Sequence, residues 1–395
     1  MRFAAVAYPI DQRRGGIELP LLSVSQYHGV IPRSEITDDE PRAADLSNYK
    51  VVRAGQLVLN RMSAYHGALG VASQDGIVSP DYMVLQFRKN QIGSFWQYFM
   101  KSTEFIGQMA ARVRGIGTLE SAGVRTPRLG YADLKLIPAP SLSPAQQRAI
   151  ADFLDPETAK IDALIEKQKE LIELLLERRA GVHTQLTSPS HWDRVPLRHI
   201  ATAIQDCPHW TPDSSPDSPY EAVRSGCIRD GQYRPEAAIS VSKETFERRQ
   251  RGIAVEPGDL LFAREAPAGE ACLAPSDRNL CLGQRTVLIK LDTARIRPEI
   301  VLAAIYSRPT QDYFRIQMNG STVGNLRLPV IRSIPVPIPP KQEQPGLVGR
   351  YINALSKIDA LIAKAEEHIA LAQERRAALI TAAVTGQLDI PGADR

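Results

Sequence analysis

Between residues 157 and 186 apolar side chains recur every three or four positions, at Ile161, Leu164, Ile165, Leu171, Ile172, Leu175, Val182 and Leu186, with charges of both signs between them. Such spacing lays the apolar residues along one stripe of a long helix. Near the C-terminus Ile358, Leu361, Ile362 and Ile369 carry a second stripe of the same kind. The two are expected to bury one another as an intramolecular antiparallel pair, Ile161, Leu164, Ile165, Leu171, Ile172 and Leu175 packing from one side and Ile358, Leu361, Ile362 and Ile369 from the other. Upstream the pattern changes to short apolar runs, LPLLSVSQYHGVI, GQLVLNRM, GALGVAS and DYMVLQF, bounded by Gly, Asp and Asn. These read as strands. From Ile92 to Arg114, the positions of Phe95, Phe99, Phe105, Ile106 and Met109 predict one or two amphipathic helices against that sheet.

The pattern is written twice. IDALI at 161–165 returns at 358–362, and Glu177-Arg178-Arg179 returns as Glu374-Arg375-Arg376, both at an offset of 197. Ile137-Pro138-Ala139-Pro140 and Gln147 match Ile334-Pro335-Val336-Pro337 and Gln344 at the same offset. Each proline fixes its own φ and restrains its predecessor, so these segments are extended struts. Farther upstream the offset is 203: Gly258-Asp259-Leu260-Leu261 stands for Gly55-Gln56-Leu57-Val58, Ala263-Arg264 for Asn60-Arg61, and Arg285-Thr286-Val287-Leu288 for Tyr82-Met83-Val84-Leu85. The prediction is an α+β chain with a pseudo-two-fold internal repeat, two α/β domains separated by a pair of long antiparallel helices that form an intramolecular coiled coil. The expected boundaries are residues 1–140 for the first domain, 141–190 for the first long helix, 191–337 for the second domain, and 338–395 for the second long helix and tail. Asp155-Pro156 is a place for a kink, and Pro345 one for a first helical turn.

At 395 residues the chain is long enough for more than one core. No apolar run is long enough to span a bilayer, and no signal peptide stands at the start, so the cytoplasm is the expected compartment. The four cysteines, Cys207, Cys227, Cys272 and Cys281, form no CxxC pair, and reduced thiols are the expectation. Cys207-Pro208-His209 is the one sequence that looks like half of a metal site. Net charge is only +4, and the basic excess lies outside the first helix: residues 1–136 carry sixteen Lys and Arg against twelve Asp and Glu, while 156–186 carry five against six.

Chemistry on this chain itself is not expected. A methyltransferase needs a Gly-rich cofactor turn and an Asn/Asp-Pro-Pro-aromatic motif, and neither is present; Pro80-Asp81 with Asp133-Leu134-Lys135 matches a nuclease pattern only loosely, and the histidines lack partners at suggestive spacing. Arginines in the domains are the candidates for nucleic-acid contact. Arg112, Arg114, Arg125 and Arg128 flank GIGTLESAG; Arg327 and Arg332 follow a loop containing Ser321 and Thr322; Arg224, Arg229, Arg248 and Arg249 lie in a span with seven bases against four acids. Arg61 and Arg264 occupy the same place in both copies. Arginine grips phosphate or reads guanine with two donors, and Ser/Thr loops hold phosphate through backbone amides. Each of these has a plain alternative as a solvated surface residue.

Two diverged domains, each followed by I-P-x-P, a Gln-bearing helix start, IDALI and ERR, and closed by LITAAVTGQLDI at 379–390, resemble the DNA-specificity subunit of type I restriction-modification systems, over nearly the whole chain. WDRVPLRHIATAI at 192–204 resembles the opening of a target-recognition domain in that family. The first domain departs from it: Met1-Arg2-Phe3 matches Leu197-Arg198-His199, so the Trp-containing lead has no counterpart. The resemblance implies a non-catalytic reader of a gapped double-stranded target, one half per domain. It implies two modification (methyltransferase) and two restriction (helicase-nuclease) subunits as partners, with S-adenosylmethionine, ATP and magnesium bound there. It makes the helices a ruler, since about 30 residues span about 45 Å and one duplex turn is roughly 34 Å. Two other readings stay open: a coiled-coil scaffold that reads no sequence, and an autonomous DNA-modifying enzyme.

Overall fold

The computed structural model describes residues 1–16, 18–26, 29–37, 45–113, 128–318 and 324–393. It divides into two units, one of Met1–Gln168 with Glu366–Arg395 and one of Lys169–Ala365. Among the described residues no helix is long and apolar enough to cross a membrane.

The first unit runs β1 (Ala7–Ile10), β2 (Leu22–Ser25), β3 (Gly29–Pro32), β4 (Lys50–Val52), β5 (Leu57–Asn60), β6 (Leu69–Val71), β7 (Gly76–Val78) and β8 (Tyr82–Phe87). Helices α1 (Gly93–Lys101), α2 (Thr103–Ala110), α3 (Tyr131–Leu134) and the start of α4 (Pro144–Thr187) follow. Its main sheet is antiparallel in the order β1-β8-β5-β6, flanked by the hairpin β2-β3 and the pair β4-β7. Strand alternation divides this sheet between two cores. Leu57, Leu59, Met83 and Leu85 face the helices with Trp96 and Phe105, whereas Val58 and Val84 face Leu22, Val30, Val52 and Val78.

The second unit holds β9 (Asp193–Pro196), β10 (Ala201–Asp206), β11 (Tyr220–Val223), β12 (Ile228–Arg229), β13 (Gln232–Tyr233), β14 (Ile239–Val241), α5 (Lys243–Arg249), β15 (Leu260–Ala263), β16 (Glu270–Leu273), β17 (Asn279–Leu282) and β18 (Thr286–Leu291). Then come α6 (Pro298–Tyr306), α7 (Arg308–Met318), α8 (Leu328–Arg332), β19 (Pro335–Ile338) and the start of α9 (Gln344–Thr385). The sheet β10-β18-β15-β16 repeats the order of the first unit, and a three-stranded sheet β14-β11-β17 accompanies it. Leu260, Phe262, Val287 and Ile289 face the helices; Leu261, Ala263 and Leu288 face Cys207, Cys227 and Cys272. Burial raises the thiol pKa of Cys272 and Cys281 to about 12.

The strand register corrects the sequence alignment. Leu57 pairs with Leu85 and Leu260 with Ile289, so Leu85 corresponds to Ile289 and Val84 to Leu288, an offset of 204. The expected offset of 203 would place Val84 opposite its true face, since one step along a strand reverses the side chain. At the domain openings, Phe3 N–H donates to the Ile137 carbonyl at 3.0 Å and Leu197 N–H to the Ile334 carbonyl at 2.8 Å. Phe3 rather than Met1 therefore stands for Leu197. In the second unit β9 pairs along β19; in the first, the equivalent contact is a single bridge between Arg2 and Pro138.

The prolines of the struts are extended as expected, but α4 begins at Pro144, thirteen residues before Glu157. Ser143 and Gln146 explain the start: Gln146 N–H donates to Ser143 Oγ at 3.3 Å and Ser143 N–H to Gln146 Oε1 at 2.8 Å. This is a capping box with proline in the first turn. Pro156 lies inside the helix without ending it. Gln147 and Gln344 are buried, and each accepts the N–H just ahead of a helix in its own unit, Ile92 and Arg297, both at 2.9 Å.

Burial along α4 follows Ile161, Ile165, Gln168, Ile172, Leu175, Arg179, Val182 and Leu186, and along α9 Tyr351, Leu355, Ile358, Ile362, Ala365, Ile369, Ala372, Arg376, Leu379 and Ala383. Steps of four and three alternate, a period of 3.5 residues, which is the coiled-coil seam. The wider expected stripe is corrected at Leu164, Leu171 and Leu361, which are 50%, 41% and 50% exposed. They stand one position off the seam. In the first unit Ile161 and Ile165 pack on Ala372; in the second Leu186 packs on Tyr351. In each unit an ion pair crosses between the helices, Arg376 Nε to Asp162 Oδ1 at 2.8 Å and Arg179 Nε to Asp359 Oδ1 at 3.1 Å. These are one contact made twice, since both residues of each pair are separated from their counterparts by 197.

Ile165→Ala is expected to destabilise by ~2–4 kcal/mol and Leu164→Ser by no more than ~0.5 kcal/mol, measured by urea unfolding. His183, on α4, is buried, and burial lowers its pKa from 6.5 to about 4, with Arg179 adding to the shift. The unfolded imidazole takes a proton near pH 6.5 and the folded one near 4. The stability of the neutral ring is therefore full above pH 6.5 and lost as the pH falls toward 4, by up to ~3 kcal/mol. His183→Gln is expected to flatten the urea midpoint between pH 6.5 and 5, relative to the wild-type fall.

Candidate nucleic-acid interface

Antiparallel order brings the ends of β10 and β15 and the starts of β16 and β18 to one edge of the second unit's main sheet. Charged loops occupy that edge. Arg264, at the end of β15, pairs with Asp206 at the end of β10 and lies 3.8 Å from Glu265. Glu265 also receives Arg285 Nε at 3.2 Å and Asn325 Nδ2 at 2.6 Å. His209 Nε2 is 3.8 Å from Asp206 and three-quarters exposed. Arg285 is held in the left-handed region, φ 64°, which turns the chain into β18. Its side chain is 56% exposed against 20% for Arg264. Beside this network, Arg248 and Arg249 place their guanidinium carbons 3.9 and 4.0 Å from the centre of the Trp210 ring.

In the first unit the equivalent edge collects Arg13, Lys50, Arg61 and Arg128 against Asp11 and Asp81. Arg13 Nη2 donates to Asp11 at 2.8 Å and Nη1 to the Asn48 carbonyl at 2.9 Å. Arg128 Nη1 lies 3.0 Å from Asp81, and both are half-exposed. Lys50 Nζ donates to the Tyr82 carbonyl at 2.8 Å. Burial lowers the Lys50 pKa, and Asp11, Arg13, Arg61 and Asp81 are close enough to act on it. Bases outnumber acids here, the balance that attracts a polyanion.

The residues read from sequence fall into distinct places. Arg61 and Arg264 recur because both hold a chain crossing: Leu129 N–H donates to the Arg61 carbonyl and Leu326 N–H to the Arg264 carbonyl, both at 2.9 Å. Arg61 Nε returns to the Leu129 carbonyl at 3.0 Å. Their side chains are thus largely committed within the fold. Arg249 is 3% exposed and donates to the carbonyls of Leu282, at 2.7 Å, and Trp210; it is an internal brace. Arg224 grips the Ala237 carbonyl at 2.9 and 2.7 Å. Arg112 folds back on Gln108 at the end of α2. Arg229 is exposed on the β12-β13 hairpin, where the next residue, Asp230, pairs with Arg179 of α4 and donates its N–H to Glu270 at the start of β16 at 2.8 Å, so the hairpin lies between the helix and the end of that strand. Arg128, Arg248 and Arg327 remain presented at the edges, Arg327 as the exposed N-cap of α8. Arg114, Arg125, Ser321 and Thr322 lie outside the described residues.

Arg13, Lys50, His209, Trp210 and Arg285 join these edges without having been singled out as DNA contacts. Trp210 carried the clearest signal, an aromatic between His209 and a Pro-rich loop. Lys50 carried none, because its neighbours arrive from distant strands. Cys207 is packed beneath this edge, where its sulfur accepts the Arg285 N–H at 3.2 Å. Among the described residues no three His, Cys, Asp or Glu side chains stand together as a metal site.

No family model matches the chain, and no curated protein matches it. Solved structures do. One, described as the "Structural basis underlying complex assembly and conformational transition of the type I R-M system", is 18% identical with a TM-score of 0.62 over 98% of this chain and 97% of that one. At that identity the likeness shows a shared fold. The HsdS subunit of Thermoanaerobacter tengcongensis is 16% identical over 98% and 96% of the two chains, with a TM-score of 0.47. The type I restriction-modification S subunit of M. genitalium is 13% identical over 97% and 95%, with a TM-score of 0.40. At these scores neither adds to the fold assignment.

Arg249→Ala strips buried carbonyls of their donor and is expected to cost ~2 kcal/mol, whereas Arg248→Ala is expected to change stability by less than ~0.5 kcal/mol, both read from urea midpoints.

Proposed function

We propose that this chain is the DNA-specificity subunit of a type I restriction-modification complex. It has no catalytic activity of its own, and each copy of the repeated module reads one half of a gapped duplex target. The observation that carries this reading is the same sheet with a basic loop edge made twice in one chain, on a fold shared across 98% of its length with a protein from a type I R-M structure. In the first unit Arg13, Lys50 and Arg128 meet the DNA; in the second His209, Arg248, Arg285 and Arg327 do. The long helices set the length of the unread spacer. Leucines off the seam, Leu164 and Leu371 in the first unit and Leu171, Leu174 and Leu361 in the second, are 41–63% exposed. They supply apolar surface for the methyltransferase and restriction subunits. S-adenosylmethionine, ATP and magnesium act on those subunits, in the cytoplasm.

The test is competition binding with duplexes selected from a random pool, at several salt concentrations. The selected duplexes are expected to carry a gapped motif and to outcompete random DNA by at least ~10³-fold. Arg13→Ala is expected to weaken discrimination at one half of the motif and Arg285→Ala at the other, each by ~1–3 kcal/mol if it meets a base. Binding without a specificity ratio would favour a scaffold. Methylation or cleavage by the purified chain alone would favour an enzyme.

A further inference from the structure

A cavity of about 730 Å³ in the second unit lies among α4, α6, α9 and the β12-β13 hairpin. Four carboxylates line it, Asp230, Asp277, Glu299 and Asp359, against two bases, Arg179 and Arg278. Both bases are already engaged. Arg278 pairs with Glu221, outside the cavity, at 2.6 Å, and Arg179 pairs with Asp359 and Asp230. Glu299 Oε2 is buried and has no hydrogen-bond partner among the described residues. His183 is 3% exposed, with Nδ1 2.9 Å from the Tyr351 hydroxyl. Burial keeps the ring neutral, and in the tautomer whose Nδ1–H donates to that hydroxyl the other ring nitrogen is an acceptor. The wall between these acceptors includes Leu302 and Leu355. Separated acceptors, an excess of negative charge and apolar walls suit a cation with several donors on an aliphatic chain. They do not suit a single metal ion, because among the described residues no three acidic or His side chains converge.

The first unit supplies an internal comparison. Lys101 closes α1 as Tyr306 closes α6, and each precedes a serine whose Oγ donates three residues back at 2.7 Å. By this offset of 205, Ser94 stands where Glu299 does. The Lys101 side chain is half-buried, its ammonium donates to the Gln26 carbonyl at 3.3 Å, and desolvation and the charge of Arg376 lower its pKa against the charge of Asp162. Thus the first copy houses its own alkylammonium beside the Arg376–Asp162 pair. In the second copy Tyr306 is turned to Gly231 and Glu270, and an unpaired carboxylate lines the space by the Arg179–Asp359 pair. We infer that this cavity binds a small alkylammonium ligand of the polyamine class, one per chain.

This inference stands apart from DNA reading and is tested without DNA. Spermidine is titrated calorimetrically into the full-length chain in low-salt buffer, with magnesium chloride as the charge control. The expected result is saturable 1:1 binding that magnesium does not reproduce, weakened at least ten-fold in Glu299→Gln at unchanged melting temperature. If that variant fails to fold, Asp277→Asn at the exposed mouth is expected to weaken binding about three-fold. Equal binding by wild type and variants, or many weak sites, would overturn the proposal. So would an absence of spermidine binding with Glu299→Gln impaired only in association with a methyltransferase subunit, which would assign the site to a protein lysine.

Discussion

Two helices stay in contact along an antiparallel seam only where small or apolar side chains return every 3.5 residues, and both units are built on such a seam. In the first, Ile161 and Ile165 meet Ala372; in the second, Val182 and Leu186 meet Tyr351 and Leu355. Arg179 and Arg376 occupy seam positions and each finds an aspartate on the other helix. Such pairs add little net stability when desolvated, but a slipped register would leave a buried guanidinium without its carboxylate. The ion pairs therefore select the register that the apolar contacts make favourable.

From the seam the order passes outward through the buried glutamines. Gln147 sits in the fourth position of α4 and satisfies the chain entering α1; Gln344, at the first position of α9, does the same for α6. The helices α1 and α6 then cover one face of each main sheet, and antiparallel strand order gathers the loops at one edge. Charge at those edges differs between copies: lysine and arginines around Asp11 and Asp81 in one, an arginine and tryptophan cluster around Asp206 and Glu265 in the other. A common frame with different edge chemistry fits a module used twice on different targets.

Much of this frame is legible in the sequence because repetition exposes it. The 197 offset located the paired helices, the struts and the two glutamines. What it could not locate follows from short-range ambiguity and long-range contact. The seam includes Gln168, Arg179, Ala365 and Ala372, so the more apolar Leu164, Leu171 and Leu361 drew the stripe one position wide. A one-residue insertion ahead of β18 shifted that strand's alignment and reversed its faces. Arg249 looked like any surface arginine until the Leu282 and Trp210 carbonyls came to it from residues 33 and 39 positions away.

The central claim is that one chain carries two readers of different half-sites. Its most direct measurement is sequencing of methylated adenines in cells that co-express the chain with a type I methyltransferase subunit, alone and after exchange of residues 191–333 for another such domain. The account predicts a gapped motif in which the exchange replaces one half and leaves the other unchanged. An ungapped motif, or one that survives the exchange intact, would contradict it.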